Sequence, residues 1–335
     1  MAITLGLNSA LSGLLTNQKG LDVISQNIAN VNTVGYTRKV MNPESRVLAG
    51  VGAGVQESSV TRSIDEGLLK DIRAQTSQSG SLDMTQTYYP RIEDMFGQVG
   101  DNTSIASRVQ SLQSGFQSLA TQSNTPSAQL AAVQAGSDVT NQLNEMTSQT
   151  QALRLEADRG LQDAVSQVNT TLQNISDLNT KIARNAALGA ETGDLEDKRD
   201  TELTTLSKYM DIQYFKREDD TVNVFTTSGK PLVDKNAQTL THSATTVINA
   251  AMSLAGGNFN SITLSSDPTG GDVSGDFQNG QLRALIDMRD KILPNMQAQM
   301  DQLASSLKNS INQVHNRGTV LPTVSSQLTG TGPWP

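Results

Sequence analysis

Residues 1–40 read MAITLGLNSALSGLLTNQKGLDVISQNIANVNTVGYTRKV, and the spacing of their apolar residues decides the architecture. Counted in sevens, Leu7, Leu14, Leu21 and Ile28 fall in one column. Ala10, Asn17, Ile24 and Val31 fall in a second, three residues further on. Two such columns form the a/d seam by which helices wrap around one another. Asn17 is the polar member, of the kind that sets register or partner number at a cost in stability. A single helix cannot bury this stripe, so the segment calls for a partner. The plainer alternative is an amphipathic helix lying on its own core. Asn30, Asn32 and Thr33 then offer side-chain hydrogen bonds that compete with the helical backbone, and Gly35 permits a turn with positive φ. Tyr36 and Thr37 begin an extended run.

The rest of the composition excludes more than it selects. A chain of 335 residues has room for two or three domains. Aromatic residues make up only 4%, so no large aromatic core is available. The net charge of −8 argues against nucleic acid or an anionic membrane as partner, because both demand a basic face. With no cysteine, disulfides, thiol catalysis and Cys-rich metal sites are excluded. No stretch approaches the roughly 20 apolar residues that span a bilayer. The N-terminus lacks the basic region of a secretory signal.

Along the chain, residues 40–60 read as a short β-hairpin or an extended linker. Gly50, Gly52 and Gly54 within them do not make a dinucleotide fingerprint, since Val55 stands where a third glycine is required. Helical spacing returns at Ile64, Leu68, Leu69 and Ile72 and runs to about Tyr89, where Pro90 and Gly97 break it. A further helix occupies Ser104 to Ser123. The longest runs from Pro126 to about Leu188, on a stripe that includes Leu130, Val133, Leu143, Met146, Leu161 and Leu172, with Gly136 and Gly160 as weak points. Asp194 is placed to cap the next helix, with Glu196 and Asp197 in its first turn. Period-two alternation begins at Ile212 and Tyr214 and resumes at Val222 and Val224, around a turn at Glu218–Asp220. Helix returns at Gly280, with Met296, Met300, Leu303, Leu307, Ile311 and Val314 on its stripe.

Catalytic and metal-binding patterns are missing. His242 and His315 are the only histidines, which excludes a two-histidine zinc helix. His242 is expected to be solvated, and His315 to favour the negative pole of a helix end. There is no Gly-x-Ser-x-Gly elbow, and Ser228-Gly229-Lys230 lacks the upstream glycine of a P-loop. Asp267, Asp272 and Asp276 resemble a loose calcium loop but fit no EF-hand spacing. Capping already explains the acids of residues 194–200. The expectation is a mainly α, non-enzymatic protein: an elongated coiled-coil or helical-bundle shaft, a small inserted β-rich unit and an N-terminal assembly helix. No cofactor or metal is expected.

Four segments carry a resemblance. SQNIANVNTVGYTR, residues 25–38, resembles the N-terminal signature of bacterial flagellar axial proteins, the rod, hook and hook-associated subunits. DLEDKRD at 194–200, TVNVFTTSGKPLV at 221–233 and GQLRALIDMRDKILP at 280–294 are similar to blocks of the hook–filament junction members. The resemblance implies a structural subunit exported by the flagellar type III apparatus to the extracellular flagellum. It implies as partners the hook protein, a second junction protein, further copies of itself in a helical array and an export chaperone, with neither nucleic acid nor membrane. The assembly seam would be Leu7, Leu14, Leu21, Ile24, Ile28 and Val31. The turn motif would be Asn27, Asn30, Asn32, Gly35 and Tyr36. The alternatives are a hook or rod subunit, a secreted type III effector, or a binding module. The organisation expected is an assembly helix and turn over 1–40, the first part of a shaft over 41–210, a β-rich insertion over 211–278, a returning helix over 279–318 and an irregular tail over 319–335. Members of such a family end with a second heptad helix. The sequence here ends in GTGPWP, so the expectation is either a fragment or a natively short chain that polymerises differently.

Overall fold

The structure, a computed structural model, describes residues 2–48, 50–98, 102–267 and 270–316. Helix α1 (Ala2–Ala29) leads into a hairpin of β1 (Lys39–Leu48) and β2 (Val51–Arg62). Helices α2 (Glu66–Phe96), α3 (Ile105–Thr121), α4 (Pro126–Ala187) and α5 (Gly193–Tyr209) follow. Strands β3 (Ile212–Lys216), β4 (Val222–Thr226) and β5 (Pro231–Val233) form one antiparallel sheet in that order, and β6 (Leu240–Thr241) pairs with β7 (Thr263–Leu264). Helix α6 (Gly280–Asp287) passes through a π turn, Met288–Ile292, into α7 (Leu293–His315). The fold is mainly helical with small antiparallel sheets. Its described residues divide into two compact units, one within 2–83, 163–242 and 261–283, the other within 84–162, 243–260 and 284–316. The tail expected over 319–335 lies outside the described residues.

In the first unit α1 lies on the hairpin through the face opposite its heptad columns. Ser9, Ser12, Gly20, Val23 and Asn27 point that way, and Val23 is buried. Small residues let helix and strand approach closely. Gly54 adopts φ +104°, and a Cβ there would run into Ser12 Oγ and stand 3.0 Å from Ser9 Cα. The Ser12 hydroxyl accepts the Val55 N–H at 3.2 Å. Elsewhere in this unit α4 contributes Val168, Leu172, Ile175 and Ile182, α5 contributes Leu203 and Leu206, and Met210 follows at its C-cap, all fully buried. Val222 and Val224 face inward from β4, as the alternation predicts. Asparagines of α4 hold the strand edges. The Asn179 amide donates to Val222 O at 2.7 Å and accepts Val222 N–H at 3.0 Å, and Asn169 does the same for Leu240.

In the second unit Met95, Met146 and Met300 form a buried cluster against Phe96, Ile105, Leu143 and Met296. Beside it, two arginines are almost wholly buried. Arg289 binds Asp290 through two bonds of 2.8 Å and Asp158 at 2.6 Å. Arg154 donates to the carbonyls of Met252 at 2.8 Å and Arg289 at 3.1 Å, and both guanidiniums approach the Phe259 ring. The π turn explains how a helical carbonyl comes to be free. Leu293 N–H bonds to Met288 O rather than to Arg289 O, leaving the latter for Arg154.

Several expectations are corrected. Pro90 lies inside α2 rather than ending it. Its ring removes one donor, but Tyr88, Ile92 and Met95 around it are buried on one face, and that burial carries the helix across. Neither Gly136 nor Gly160 breaks α4; Gly160 stands where Leu285 approaches, within 3.2 Å of a would-be Cβ. Leu130 and Val133 are exposed, 69% and 66%, whereas Ala128 and Ala132 are buried. There α3 comes in closely at Gly115, and only alanine fits between. The helix returning at Gly280 is interrupted by the π turn before Pro294, which has no N–H to continue the ladder. His242 is buried, not solvated, because Asn169 draws β6 onto α4. Asp194 lies inside the first turn of α5, where Thr192 is the cap residue, so it is not the cap. Lys230 binds Asp267 at 3.1 Å and Asp276 at 3.2 Å, so a cation of the protein's own stands between two of the acids that resemble a calcium loop.

Candidate assembly site

The heptad columns form an exposed apolar stripe on α1. Leu7, Leu14, Leu21, Ile24 and Ile28 on α1, and Val31 just past its end, are all exposed, between 53% and 74%. Ile3, Leu11, Leu15 and Val34 are exposed as well. Isolated exposed leucines are ordinary, whereas a contiguous apolar stripe along one helix face is not. Its opposite face rests on the hairpin, so the stripe is presented from a fixed support.

The turn after α1 is built by the asparagines that the sequence singles out. Asn27 donates to Lys39 O at 2.9 Å and accepts Lys39 N–H at 2.9 Å, pairing with the first residue of β1 as a strand would. Its carbonyl also accepts the Tyr36 hydroxyl at 3.0 Å. Asn30 donates to Gln26 O at 3.0 Å and accepts from the Thr33 hydroxyl at 3.2 Å. Gly35 has φ +82°, and a Cβ there would strike Thr201 Oγ1 on α5. Asn32 is exposed. Asn27 and Tyr36 are therefore brought together with Lys39, and Leu7, Leu14, Leu21, Ile24 and Ile28 share one face of α1.

Sequence reasoning missed the charged cluster under this turn. Lys39 and Arg62 are direct cross-strand partners at the open end of the hairpin. Like charges so placed repel, and α5 resolves this with carboxylates three residues apart. Lys39 Nζ binds Asp197 at 2.5 Å and Asp194 at 2.9 Å, and stacks 3.7 Å above the Tyr36 ring. Asp197 also accepts Thr37 N–H at 3.1 Å and the Thr37 hydroxyl at 2.5 Å. Asp200 takes both Arg62 and Arg73, the latter at 2.8 Å. Burial acts to lower the Lys39 pKa, but the hydrogen bonds and charges of Asp194 and Asp197 outweigh it and hold the ammonium above its usual value. The signal in the sequence was the pair of cations bracketing the hairpin, together with the acids at 194, 197 and 200.

A mainly helical chain that displays an apolar helix face beside a tightly bonded turn, with no catalytic motif in its sequence, has the features of a structural protein. Comparisons give this class its family. Residues 89–328 match the model of the flagellar hook-associated protein FlgK helical domain, and residues 7–37 match that of the flagella basal body rod protein. The chain belongs to the FlgK family of flagellar hook-associated proteins. It is 25% identical over 322 residues to flagellar hook-associated protein 1 of Salmonella typhimurium, covering 93% of this chain and 56% of that protein. It is 25% identical over 346 residues to the protein of that name from Bacillus subtilis, covering 94% and 67%. The fold matches the flagellar hook junction protein FlgK from Burkholderia pseudomallei with a TM-score of 0.59 at 24% identity, over 75% of this chain and 44% of that one. The chain thus spans about 56% of the length of its Salmonella relative.

Proposed function

We propose that this protein is a structural subunit of the bacterial flagellum that joins hook to filament. It leaves the cell through the flagellar type III apparatus, with an export chaperone as escort, and takes its place outside the cell among hook protein, a second junction protein and further copies of itself. The observation that carries this reading is the stripe Leu7–Leu14–Leu21–Ile28, exposed along α1 while the other face of the helix is anchored. Its work is packing rather than catalysis. Burial of apolar surface at about 25 cal/mol per Å² supplies the free energy, and repeated head-to-tail contacts extend it into an array. The turn residues Asn27, Asn30, Asn32, Gly35 and Tyr36 hold the helix at the angle the array needs.

The test is electron microscopy of flagella from a deletion strain, with the culture medium assayed for flagellin. Hooks without filaments, with flagellin lost to the medium, is the expected result. Missing or incomplete hooks would assign the protein to the hook or rod instead. Normal filaments would overturn the reading.

A further inference from the structure

We propose that Asp197 and Asp200 of α5 form an ionic clasp that sets the direction of the N-terminal arm, making them positioning residues for assembly; this rests on the junction reading above. The arm consists of α1, the turn and the hairpin. It holds itself together by buried Val23 and Ala53, by the paired amide bonds of Asn27 with Lys39, and by the Ser12–Val55 bond.

Its attachment to the rest of the first unit is of a different kind. Across that junction α5 meets the turn and the two strand ends through charged and polar side chains. Thr37, Lys39 and Arg62 converge on the α5 carboxylates, and Lys19 binds Glu191 at 2.5 Å. Alongside lies a solvent-open gap of about 940 Å³ lined by Lys19, Arg62, Glu66, Glu191 and Glu196. With such a gap alongside, the bonds across the junction bear on the angle of the arm. Direction then comes from charge-assisted hydrogen bonds, which are short and directional. Asp197 receives two donors from Thr37 and one from Lys39, and Asp200 ties the last residue of β2 to Arg73 of α2, so the two carboxylates hold both strands at the open end of the hairpin. Lys39, Asp197 and Arg73 are each at most 6% exposed, so salt screens them little.

The absence of cysteine allows the experiment to be done on the full chain with paired spin labels. Labels at Gln18→Cys and Thr205→Cys, both exposed, report arm against body; labels at Gln18→Cys and Glu44→Cys report within the arm. The expected result is a single narrow distance for both pairs in the parent. In the Asp197→Ala/Asp200→Ala variant the Gln18–Thr205 distance loses its narrow peak while the Gln18–Glu44 distance keeps it. Lys39→Gln, which retains a donor to Asp197, is the milder variant and broadens the first distance less. An unchanged Gln18–Thr205 distribution would overturn the clasp, as would broadening of both pairs together. The same variants are then expressed in the deletion strain. Loss of incorporation is expected, and normal incorporation of a chain whose arm distance has broadened would overturn the positioning role. That outcome would leave the junction reading intact, since the reading depends on the deletion phenotype and the clasp on the distances.

Discussion

Leu14→Asp separates assembly from folding. Leu14 is 65% exposed on the free chain, so burying it in a neighbour is worth about two-thirds of a fully buried leucine, or ~1–2 kcal/mol. An aspartate at that position places an unpaired carboxylate in the contact, at a further cost of several kcal/mol. The total is at least about 4 kcal/mol, which corresponds to about a thousandfold weaker incorporation. The isolated chain should hardly respond, because exposed substitutions away from special features shift stability by about 0.5 kcal/mol or less. The assay has two parts: urea unfolding of the purified variant, and quantification of the variant in flagella of the complemented deletion strain. Gln18→Asp, on the same helix but outside the columns, is the control. Unchanged unfolding with lost incorporation is the expected result. Normal incorporation of Leu14→Asp would refute the argument that this stripe is buried in the assembly.

Asn27→Ala removes two bonds to the Lys39 backbone and the acceptor of the Tyr36 hydroxyl, and should cost about 1–3 kcal/mol locally. Faster hydrogen exchange at the Lys39 amide is the readout. Arg289→Met strands Asp158 and Asp290 in the second unit and should lower stability to urea by about 3–5 kcal/mol. Tyr88 supplies a pH signature. Burial, then the charge of Glu156, raise its pKa to about 12, with Arg91 opposing. Because the unfolded phenol ionises near 10, the folded state binds more protons between pH 10 and 12, and stability falls as pH rises through that window. Urea unfolding at increasing pH in this window should therefore show a smaller loss for Tyr88→Phe than for the parent.

Where sequence order and local chemistry agree, the architecture was readable. The heptad columns of α1 gave the helix and its unpartnered face, because a period-3.5 stripe has one geometrical consequence. The Asn-rich turn, the α4 helix and the β3–β4 hairpin follow from equally local rules. Other features depend on partners distant in sequence. Val23 lies off the seam and reads as a surface position until the hairpin covers it. Lys39 and Arg62 look like ordinary surface cations until antiparallel pairing sets them side by side and α5 brings Asp197 and Asp200 beneath them. Pro90 reads as a helix stop because propensity is local, whereas the burial of Tyr88, Ile92 and Met95 is tertiary. The carbonyl of Arg289 that the π turn at 288–292 frees is taken by buried Arg154, more than 130 residues earlier in the chain.

The central claim is that the α1 stripe is exposed in the free protein and buried in the flagellum. A single Leu21→Cys in the cysteine-free chain tests this with a thiol-reactive probe, applied once to the purified protein and once to isolated flagella carrying it. Rapid labelling of the free chain and protection in the flagellum is the predicted result. Equal labelling in both would contradict it.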